Sequence, residues 1–412
     1  MRRSTDEILV SQAGSLPRTP ELIEANEQRA EQAARAEKTG VPLTDDYTEL
    51  LGREVAALVQ REKDAGVTVP GDGEYGKSMS SPVDYGAWWS YSFQRLSGLS
   101  LGGVDIWKDA EVHRSSPGNV VLTSFSDRRD RQLFHDAYHD PDSGITTGRK
   151  AQVFPKCTGK IEYTGQDAIA ADTANFVKAL DDAGIEEGFM TSLSPGSASR
   201  IANEYYDTED EFMYACADAM REEYKAIIDA GLILQIDDPS IAENFDQINP
   251  EPTIEDYLAF TQKRVDALNY ALRDLPQDRI RFHLCWGSWH GPHTTDIEMA
   301  DLVHTMLGIN AGAYLFEAGN VRHEHEWRVW DDVELPDDKI IVPGVVSHAT
   351  NVVEHPDLVA DRIERFARRV GRERVIASTD CGLGGRVHPQ IAWAKLETLA
   401  EGARRATARL WG

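Results

Sequence analysis

Apolar and polar positions along the chain repeat a unit made of an amphipathic helix, an Ala-Gly pair and a short apolar strand that ends in polar residues. Two clear copies place Ala183-Gly184 before Phe189 and Ala230-Gly231 before Leu232. Glycine suits the position after a helix, because a positive φ there lets the chain satisfy the last helical carbonyl groups. Thr208-Glu-Asp-Glu211 is a capping box and predicts the start of one of these helices. Short apolar strands that alternate with helices are typical of parallel βα units.

Eight apolar segments have this character. They are residues 8–14, 67–73, 189–193, 232–236, 280–285, 313–316, 340–343 and 374–378. Eight βα units predict an α/β protein with a (β/α)8 TIM barrel, and a doubly wound open sheet is the alternative. The chain lacks the glycine-rich phosphate motif that a dinucleotide-binding open sheet carries after its first strand, since residues 13–17 read Ala-Gly-Ser-Leu-Pro.

Two segments do not fit a βα unit. Residues 20–66 predict an N-terminal helical elaboration before the second strand. Residues 76–150, which follow the second strand, are rich in serine, glycine and aromatic residues. We interpret them as an insertion and a candidate lid over the barrel mouth, because long excursions of this kind are often functional. Residues 1–412 are otherwise predicted to form a single barrel domain.

The composition excludes several classes of partner. The chain has 43 Lys and Arg against 69 Asp and Glu, a net charge of −26, whereas nucleic acids and anionic membranes require a basic surface. Four cysteines in 412 residues do not resemble a disulfide framework. The sequence shows no signal peptide and no apolar run of the ~20 residues that a membrane span requires. A cytoplasmic location is therefore expected, and a homo-oligomer is left open.

Polar residues fall at or just past the C-terminal ends of the predicted strands. They are Ser15, Glu74, Asp237, His283, Cys285, Glu317, His348 and Cys381. The C-terminal rim of a TIM barrel holds its active site, so these residues predict a site at one end of the barrel.

Four of these residues have zinc-ligand chemistry. His283 and Cys285 share one face of a strand, because side chains alternate with a period of two, and Cys381 and Glu317 end two other strands. Two thiolates, an imidazole and a carboxylate form a plausible tetrahedral Zn²⁺ site. Taken singly, the histidine and cysteines also fit an ordinary buried core.

Two acids are candidates for substrate binding, and several further histidines are candidates for roles in the site. Glu74 and Asp237 lie on different strand ends and fit an ammonium group of a substrate, although helix capping or a salt bridge is the alternative. Two histidine pairs, His323 with His325 and His135 with His139, are more typical of solvated or hydrogen-bonded histidines than of metal ligands. His290 and His293 follow the predicted metal strand and fit either a role beside the metal and substrate or a turn.

The ordered motifs resemble the catalytic half of cobalamin-independent methionine synthase and its single-barrel relatives. The resemblance covers most of the chain. Its motifs are Gly14-Ser15-Leu-Pro17, Gly73-Glu74, Gln235-Ile-Asp-Asp-Pro239, His283-Leu-Cys285, Phe316-Glu317-Ala and Asp380-Cys381-Gly-Leu. The ordered His-x-Cys, Glu and Cys set is the specific part of this resemblance.

The resemblance implies that His283, Cys285, Glu317 and Cys381 bind Zn²⁺. It also implies that Ser15, Glu74 and Asp237 bind the homocysteine acceptor. His348 lies near the place of the family's proton-donating histidine. The implied activity is methyl transfer to homocysteine or a similar thiol, from methyl-folate or from a corrinoid protein. The alternatives are a thiol alkyltransferase of epoxyalkane:coenzyme M transferase type, a demethylase of a small methylated compound, a metal-free relative such as the barrel decarboxylases, and a non-catalytic binding or zinc-storage protein.

Overall fold

The computed structural model describes residues 1–80, 86–105, 111–145, 153–287 and 289–412. Nine strands occur within these residues. They are β1 (Leu9–Val10), β2 (Leu99–Asp105), β3 (Val153–Cys157), β4 (Phe189–Leu193), β5 (Ile233–Asp238), β6 (Ile280–Leu284), β7 (Ala313–Glu317), β8 (Ile340–Val346) and β9 (Ile376–Thr379).

Fourteen α-helices occur in the same described ranges. They are α1 (Pro20–Arg35), α2 (Asp45–Asp64), α3 (Ala87–Ser90), α4 (Ser92–Arg95), α5 (Arg129–Leu133), α6 (His135–His139), α7 (Gln166–Ala183), α8 (Pro195–Ala198), α9 (Glu209–Asp229), α10 (Ile254–Ala271), α11 (Met299–Leu307), α12 (Val329–Asp332), α13 (Pro356–Val370) and α14 (Pro389–Trp411). The capping box of Thr208 and Glu211 starts α9, as predicted. Gly184 ends α7 with φ of 67°, so the predicted glycine cap is also confirmed.

Seven strands form one curled parallel sheet in the order β1-β9-β8-β7-β6-β5-β4. The register between β5 and β6 places Asp237 directly opposite His283. Because all the strands are parallel, their C-terminal ends lie at the same end of the sheet. The βα prediction is therefore confirmed for seven of the eight segments, and the chain is an α/β protein.

The strand predicted over residues 67–73 is not formed. This segment still lies between the two edges of the sheet: Thr68 N and Val69 N donate to Val10 O at 2.9 Å, and Phe189 N donates to Pro70 O at 3.0 Å. A single parallel bridge links Gly71 to Phe189. Proline has no backbone N–H to donate, and this interrupts a regular ladder. The segment therefore joins β1 to β4 by isolated hydrogen bonds.

Two layers of apolar side chains enclose the sheet. Phe189, Ile233 and Leu315 belong to a cluster on its concave side, whereas Phe282 and Leu284 belong to the large cluster shared with the surrounding helices. Arg281 lies on the concave side as well, and its guanidinium donates to Ser11 Oγ at 2.8 Å and to Gln12 O at 2.6 Å. The alternation along β6 thus turns Arg281 and His283 inward.

The predicted insertion contains a second, two-stranded sheet. β2 pairs with β3 in the antiparallel sense, so this sheet continues past the predicted boundary at residue 150. Residues 81–85, 106–110 and 146–150 of the predicted insertion lie outside the described residues. The segment 20–66 contains α1 and α2, and α2 packs against α7. Its interpretation as an elaboration stays a prediction. Among the described helices, none combines the length and apolar character that crossing a bilayer requires.

Replacement of Phe282 by alanine is expected to lower the free energy of unfolding by ~3–5 kcal/mol, because it leaves a cavity in the layer between sheet and helices. The Phe282 side chain is fully buried. Urea unfolding measures the effect. The matched control is Val321→Ala at a position that is 98% exposed, where the change should stay within ~0.5 kcal/mol. Equal effects at the two positions would contradict the assigned packing.

Candidate metal centre

Three predicted zinc ligands come together at the C-terminal end of the sheet. The ligand atoms of His283, Cys285 and Cys381 all lie within 4.8 Å of one another. The two Sγ atoms are 4.0 Å apart. His283 belongs to β6, Cys285 follows this strand directly, and Cys381 follows β9. These positions are almost 100 residues apart in the sequence, and the parallel sheet brings them to one point.

The imidazole of His283 is oriented for a ligand. Its Nδ1 donates to Asp237 Oδ1 at 2.9 Å. Its Nε2 is buried and has no hydrogen-bond partner among the described residues. Burial opposes protonation of the ring, but the hydrogen bond and negative charge of Asp237 outweigh burial and raise the pKa of His283. Metal-binding histidines usually donate their second N–H to such a carboxylate, which fixes the tautomer.

The donor set fits Zn²⁺. With Zn–S bonds of about 2.3 Å and tetrahedral angles, two coordinating sulfur atoms lie about 3.8 Å apart. The observed Sγ separation of 4.0 Å is close to this value. The contact with Cys285 and the positive charges of His283 and Arg386 lower the pKa of Cys381 to about 7, although burial opposes the shift. The thiolate is the form that binds metals, so Cys381 is prepared for this role.

The fourth predicted ligand, Glu317, does not join this group of three. Its Oε1 accepts a hydrogen bond from Trp286 N at 3.1 Å, and its Oε2 accepts one from Asn320 Nδ2 at 2.7 Å. These donors hold both oxygens of the carboxylate. Glu317 instead forms a second buried group with His348 and Asp380, whose potential ligand atoms lie within 4.8 Å of one another. Its role as a zinc ligand stays a prediction.

His348 belongs to this second group. Its side chain is 2% exposed, and its Nδ1 has no hydrogen-bond partner in the described ranges. Burial, to which the positive charges of Arg386 and His290 add, lowers the pKa of His348 well below its usual value. Burial and the charge of Glu317 raise the pKa of Asp380 to about 8.

A cleft opens at the group of His283, Cys285 and Cys381, which we call the metal group. It is lined by Ala13, Ser15, Glu74, Met79, Ala87, Trp88, Asp237, Pro239, His283, Cys285, Gly287, Cys381, Gly382, Gly384 and Arg386. Three predicted ligand positions and all three predicted acceptor-binding positions thus share one cavity. Gly382 allows the chain to pass close to Ser15, because a Cβ on Gly382 would lie 2.7 Å from the Ser15 Cβ.

The acceptor-binding positions already have partners within the protein. Arg18 Nη1 donates to Ser15 Oγ at 2.7 Å. Lys77 Nζ lies 3.1 Å from Glu74 Oε1 in a buried ion pair, so the salt-bridge alternative for Glu74 is observed. Sequence reasoning did not identify Arg18 or Lys77. The feature of the sequence that could have indicated this ion pair is the i,i+3 spacing of Glu74 and Lys77.

Two of the other histidines, His293 and His323, are engaged in a hydrogen-bonded network. His293 Nδ1 and His323 Nε2 contact Asp296 Oδ2 at 3.0 Å and 3.1 Å. His323 Nδ1 also lies 2.9 Å from Glu326 Oε2. Burial disfavours the charged imidazoles, but these carboxylates raise the pKa of His293 to about 9 and that of His323 to about 10. The hydrogen-bonded interpretation of His323 is therefore confirmed, and His293 packs beside Trp289 in the loop that follows β6.

The insertion contacts the same loop. Trp289 Nε1 donates to Tyr138 Oη at 2.7 Å, and Tyr138 donates to Asp130 Oδ2 at 2.7 Å. Thr294 N donates to Asp130 Oδ1 at 3.0 Å. Residues of the insertion therefore hold the loop between Cys285 and α11 in place. Its interpretation as a lid stays a prediction.

Comparisons with known proteins give matches over most of the chain. A family model described as the catalytic domain of cobalamin-independent synthase matches residues 164–405. The methionine synthase of Sulfolobus acidocaldarius is 22% identical over 395 residues, which cover 94% of this chain and 89% of that protein. The 2-hydroxypropyl-CoM lyase of Xanthobacter autotrophicus is 25% identical over 352 residues, which cover 75% of this chain and 82% of that protein.

One solved structure shows the fold over the whole chain. It is a B12-independent methionine synthase from Shewanella sp. W3-18-1 in complex with selenomethionine, with a TM-score of 0.67 and 15% sequence identity. The match covers 98% of this chain and 99% of that chain. Both chains therefore share one TIM-barrel-like architecture.

Replacement of Cys381 by serine is expected to weaken zinc binding, because it removes one of the three grouped ligands. The zinc affinity should fall by more than the ~10–100-fold that is typical when a residue hydrogen-bonded to a metal ligand is removed. Competition with a chelator of known affinity measures it, and circular dichroism checks the fold. The matched control is Cys157→Ser, a buried cysteine whose Sγ contacts Gly159 O. Unchanged affinity in Cys381→Ser would contradict the assignment.

Replacement of His323 by glutamine is expected to destabilise the protein more at pH 6 than at pH 10.5, by more than ~1 kcal/mol. The carboxylates raise the pKa of His323 to about 10 in the folded state. The stabilisation is therefore complete below the ordinary value of 6.5 and is lost as the pH rises through about 10. Urea unfolding at both pH values measures this difference. The control is His135→Gln at an exposed position, which should change the free energy of unfolding by the same small amount at both pH values.

Proposed function

Because the chain belongs to the cobalamin-independent methionine synthase family, we propose that it is a zinc-dependent S-methyltransferase that transfers a methyl group to homocysteine or a similar thiol. The product is methionine or the corresponding thioether. The observation that carries this proposal is the group of His283, Cys285 and Cys381 at the base of the cleft. A dithiolate and imidazole set suits Zn²⁺ and is unusual for a purely structural core.

The reaction needs a reactive sulfur. A free thiol with a pKa near ~8.5 is mostly protonated at neutral pH and is then a poor nucleophile. When bound, Zn²⁺ would lower the pKa of the acceptor thiol and hold its sulfur in the cleft. In this role His283, Cys285 and Cys381 hold the ion, and Asp237 orients the imidazole of His283. Glu317 is the further ligand that we propose from the sequence.

Other residues of the cleft bind and orient the acceptor, and a buried histidine that is not part of the cleft lining is the proposed proton donor. We assign Ser15, Glu74 and Asp237 to the acceptor, since all three line the cavity that contains the metal group. His348 is the residue that would protonate the leaving group. Enclosure of the cleft by Trp88 and Met79 limits the access of water to the reacting atoms.

The methyl donor that we propose is methyl-folate. The matched family is described as cobalamin-independent, and none of the comparisons supports the corrinoid protein that the sequence left as the other donor. Transfer then requires only the acceptor sulfur, the donor methyl group and a proton for the donor. The acceptor sulfur forms the new S–CH₃ bond as the bond between the methyl group and the donor breaks, and the leaving group takes the proton.

A second candidate function keeps the acceptor chemistry and changes the electrophile. The 2-hydroxypropyl-CoM lyase of Xanthobacter autotrophicus matches three quarters of this chain. A thiol alkyltransferase of this type would use the same metal group with a different small thiol. The comparisons provide no corresponding support for the demethylase alternative.

Zinc K-edge absorption of the zinc-loaded protein tests the proposal. Addition of homocysteine is expected to add one sulfur neighbour at about 2.3 Å, because the acceptor thiolate joins the coordination sphere. Turnover with methyl-folate then identifies the donor.

Asp237→Asn should retain zinc with ~10–100-fold lower affinity and should bind homocysteine more weakly.

The outcomes separate the candidates. A response to 2-mercaptoethanesulfonate alone would favour the alkyltransferase. A zinc spectrum that no thiol changes would rule out thiol activation at this centre. The control is the protein with Cys381→Ser, which should show neither the zinc signal of the wild type nor a response to homocysteine.

A further inference from the structure

Lys77 occupies one side of the carboxylate that was assigned to the substrate ammonium group. Its Nζ lies 3.1 Å from Glu74 Oε1, and the side chains of the two residues are 7% and 3% exposed. Lys77 Nζ also donates to Thr191 Oγ1 at 2.5 Å, and Thr191 Oγ1 donates to Glu74 Oε1 at 2.7 Å. The three groups form a closed triangle at the wall of the cleft.

The position of Lys77 is built into the loop. Its Nζ lies 4.5 Å from the centroid of the Tyr91 ring, which favours a cation. Its backbone N donates to Glu74 O at 2.9 Å, and Arg18 Nη2 donates to Lys77 O at 3.2 Å. Arg18 is itself 4% exposed. The ammonium group is thus held beside Glu74 from several directions.

The other acid of the cleft is engaged as well. Asp237 Oδ1 accepts hydrogen bonds from His283 Nδ1 at 2.9 Å and from Gln235 Nε2 at 2.7 Å. One oxygen of each carboxylate that the sequence assigned to a substrate ammonium group, Glu74 Oε1 and Asp237 Oδ1, therefore already faces internal donors. A substrate ammonium group would meet a neutral Glu74–Lys77 pair, whereas an unpaired buried carboxylate would attract it strongly.

We propose that Lys77 is a specificity-determining residue that acts through Glu74. It supplies the ammonium group that an amino-acid thiol would otherwise provide. The acceptor class of this protein therefore includes small thiols that lack an α-ammonium group, and homocysteine has little advantage over them. This inference rests on the proposed function, because it concerns the thiol that reaches the same metal centre.

The test compares homocysteine with 4-mercaptobutanoate, which has the same chain and carboxylate but no amino group. Dissociation constants are measured calorimetrically on the zinc-loaded protein, and zinc K-edge spectra report whether each sulfur reaches the metal. In the wild type both thiols should reach the zinc, with dissociation constants that agree within about threefold. A full charge-assisted hydrogen bond from an unpaired carboxylate would instead separate them by roughly 10- to 100-fold.

Lys77→Met tests the cause. Removal of the cation leaves Glu74 unpaired, so the preference for homocysteine over 4-mercaptobutanoate should rise to about tenfold or more. Lys38→Met, at an exposed lysine far along the chain from the cleft motifs, is the matched control and should leave the ratio as it is in the wild type. Because the readout is a ratio within one protein, a general loss of stability does not move it.

Each outcome has one meaning. A wild type in which both thiols reach the zinc but homocysteine binds more than about tenfold tighter overturns the role of Lys77 and leaves the proposed function standing. An unchanged ratio in folded Lys77→Met also overturns it. If Lys77→Met does not fold, the wild-type comparison decides. If neither thiol reaches the zinc, both this inference and the proposed function are overturned.

Discussion

The hydrogen bond between His283 Nδ1 and Asp237 Oδ1 connects the parallel sheet to the chemistry of the cleft. It forms because the register of β5 and β6 sets these two residues side by side. It fixes the ring of His283 so that the buried Nε2 faces the two cysteine sulfur atoms. A slip of one residue between these strands would turn one of the two side chains to the opposite face of the sheet and separate the pair. The grouping of His283, Cys285 and Cys381 therefore depends on the register between β5 and β6, which also holds the core together.

Some buried polar groups inside the barrel are paired, whereas others, among them His283 Nε2, His348 Nδ1 and Asp380 Oδ2, have no hydrogen-bond partner among the described residues. Arg281 binds Ser11, Gln12 and Gln235 beneath the site. Buried polar atoms without partners are expensive, so a native structure retains few of them without a reason. The unpartnered Nε2 of His283 belongs to the group of side chains that we propose for the metal, and the unpartnered Nδ1 of His348 belongs to the residue that we propose as the proton donor. The same cost explains why Glu74 is accompanied by Lys77.

The insertion adds to the barrel through buried charge pairs as well as apolar contacts. Arg128 binds Glu243, and Arg129 donates to Phe245 O at 2.7 Å. Breaking a buried pair of this kind leaves an uncompensated charge, so these contacts hold the insertion against the loop that follows β5. The insertion also reaches Trp289 through Tyr138. It therefore shapes the loop that leads away from Cys285, at a position four residues past that cysteine.

The apolar pattern and the motifs of the chain were sufficient to predict the parallel βα class, most of the strand positions and the grouping of His283, Cys285 and Cys381. These features follow from local patterns, since apolar periodicity marks strands and residues at strand ends must meet at one rim. Tertiary structure decided the rest. It set residues 67–73 as a bridging segment because Pro70 interrupts the ladder, and it paired Glu317 with Trp286 and Asn320. It also placed Lys77 against Glu74, because burial leaves a carboxylate no water and so requires a partner that only the folded chain can supply.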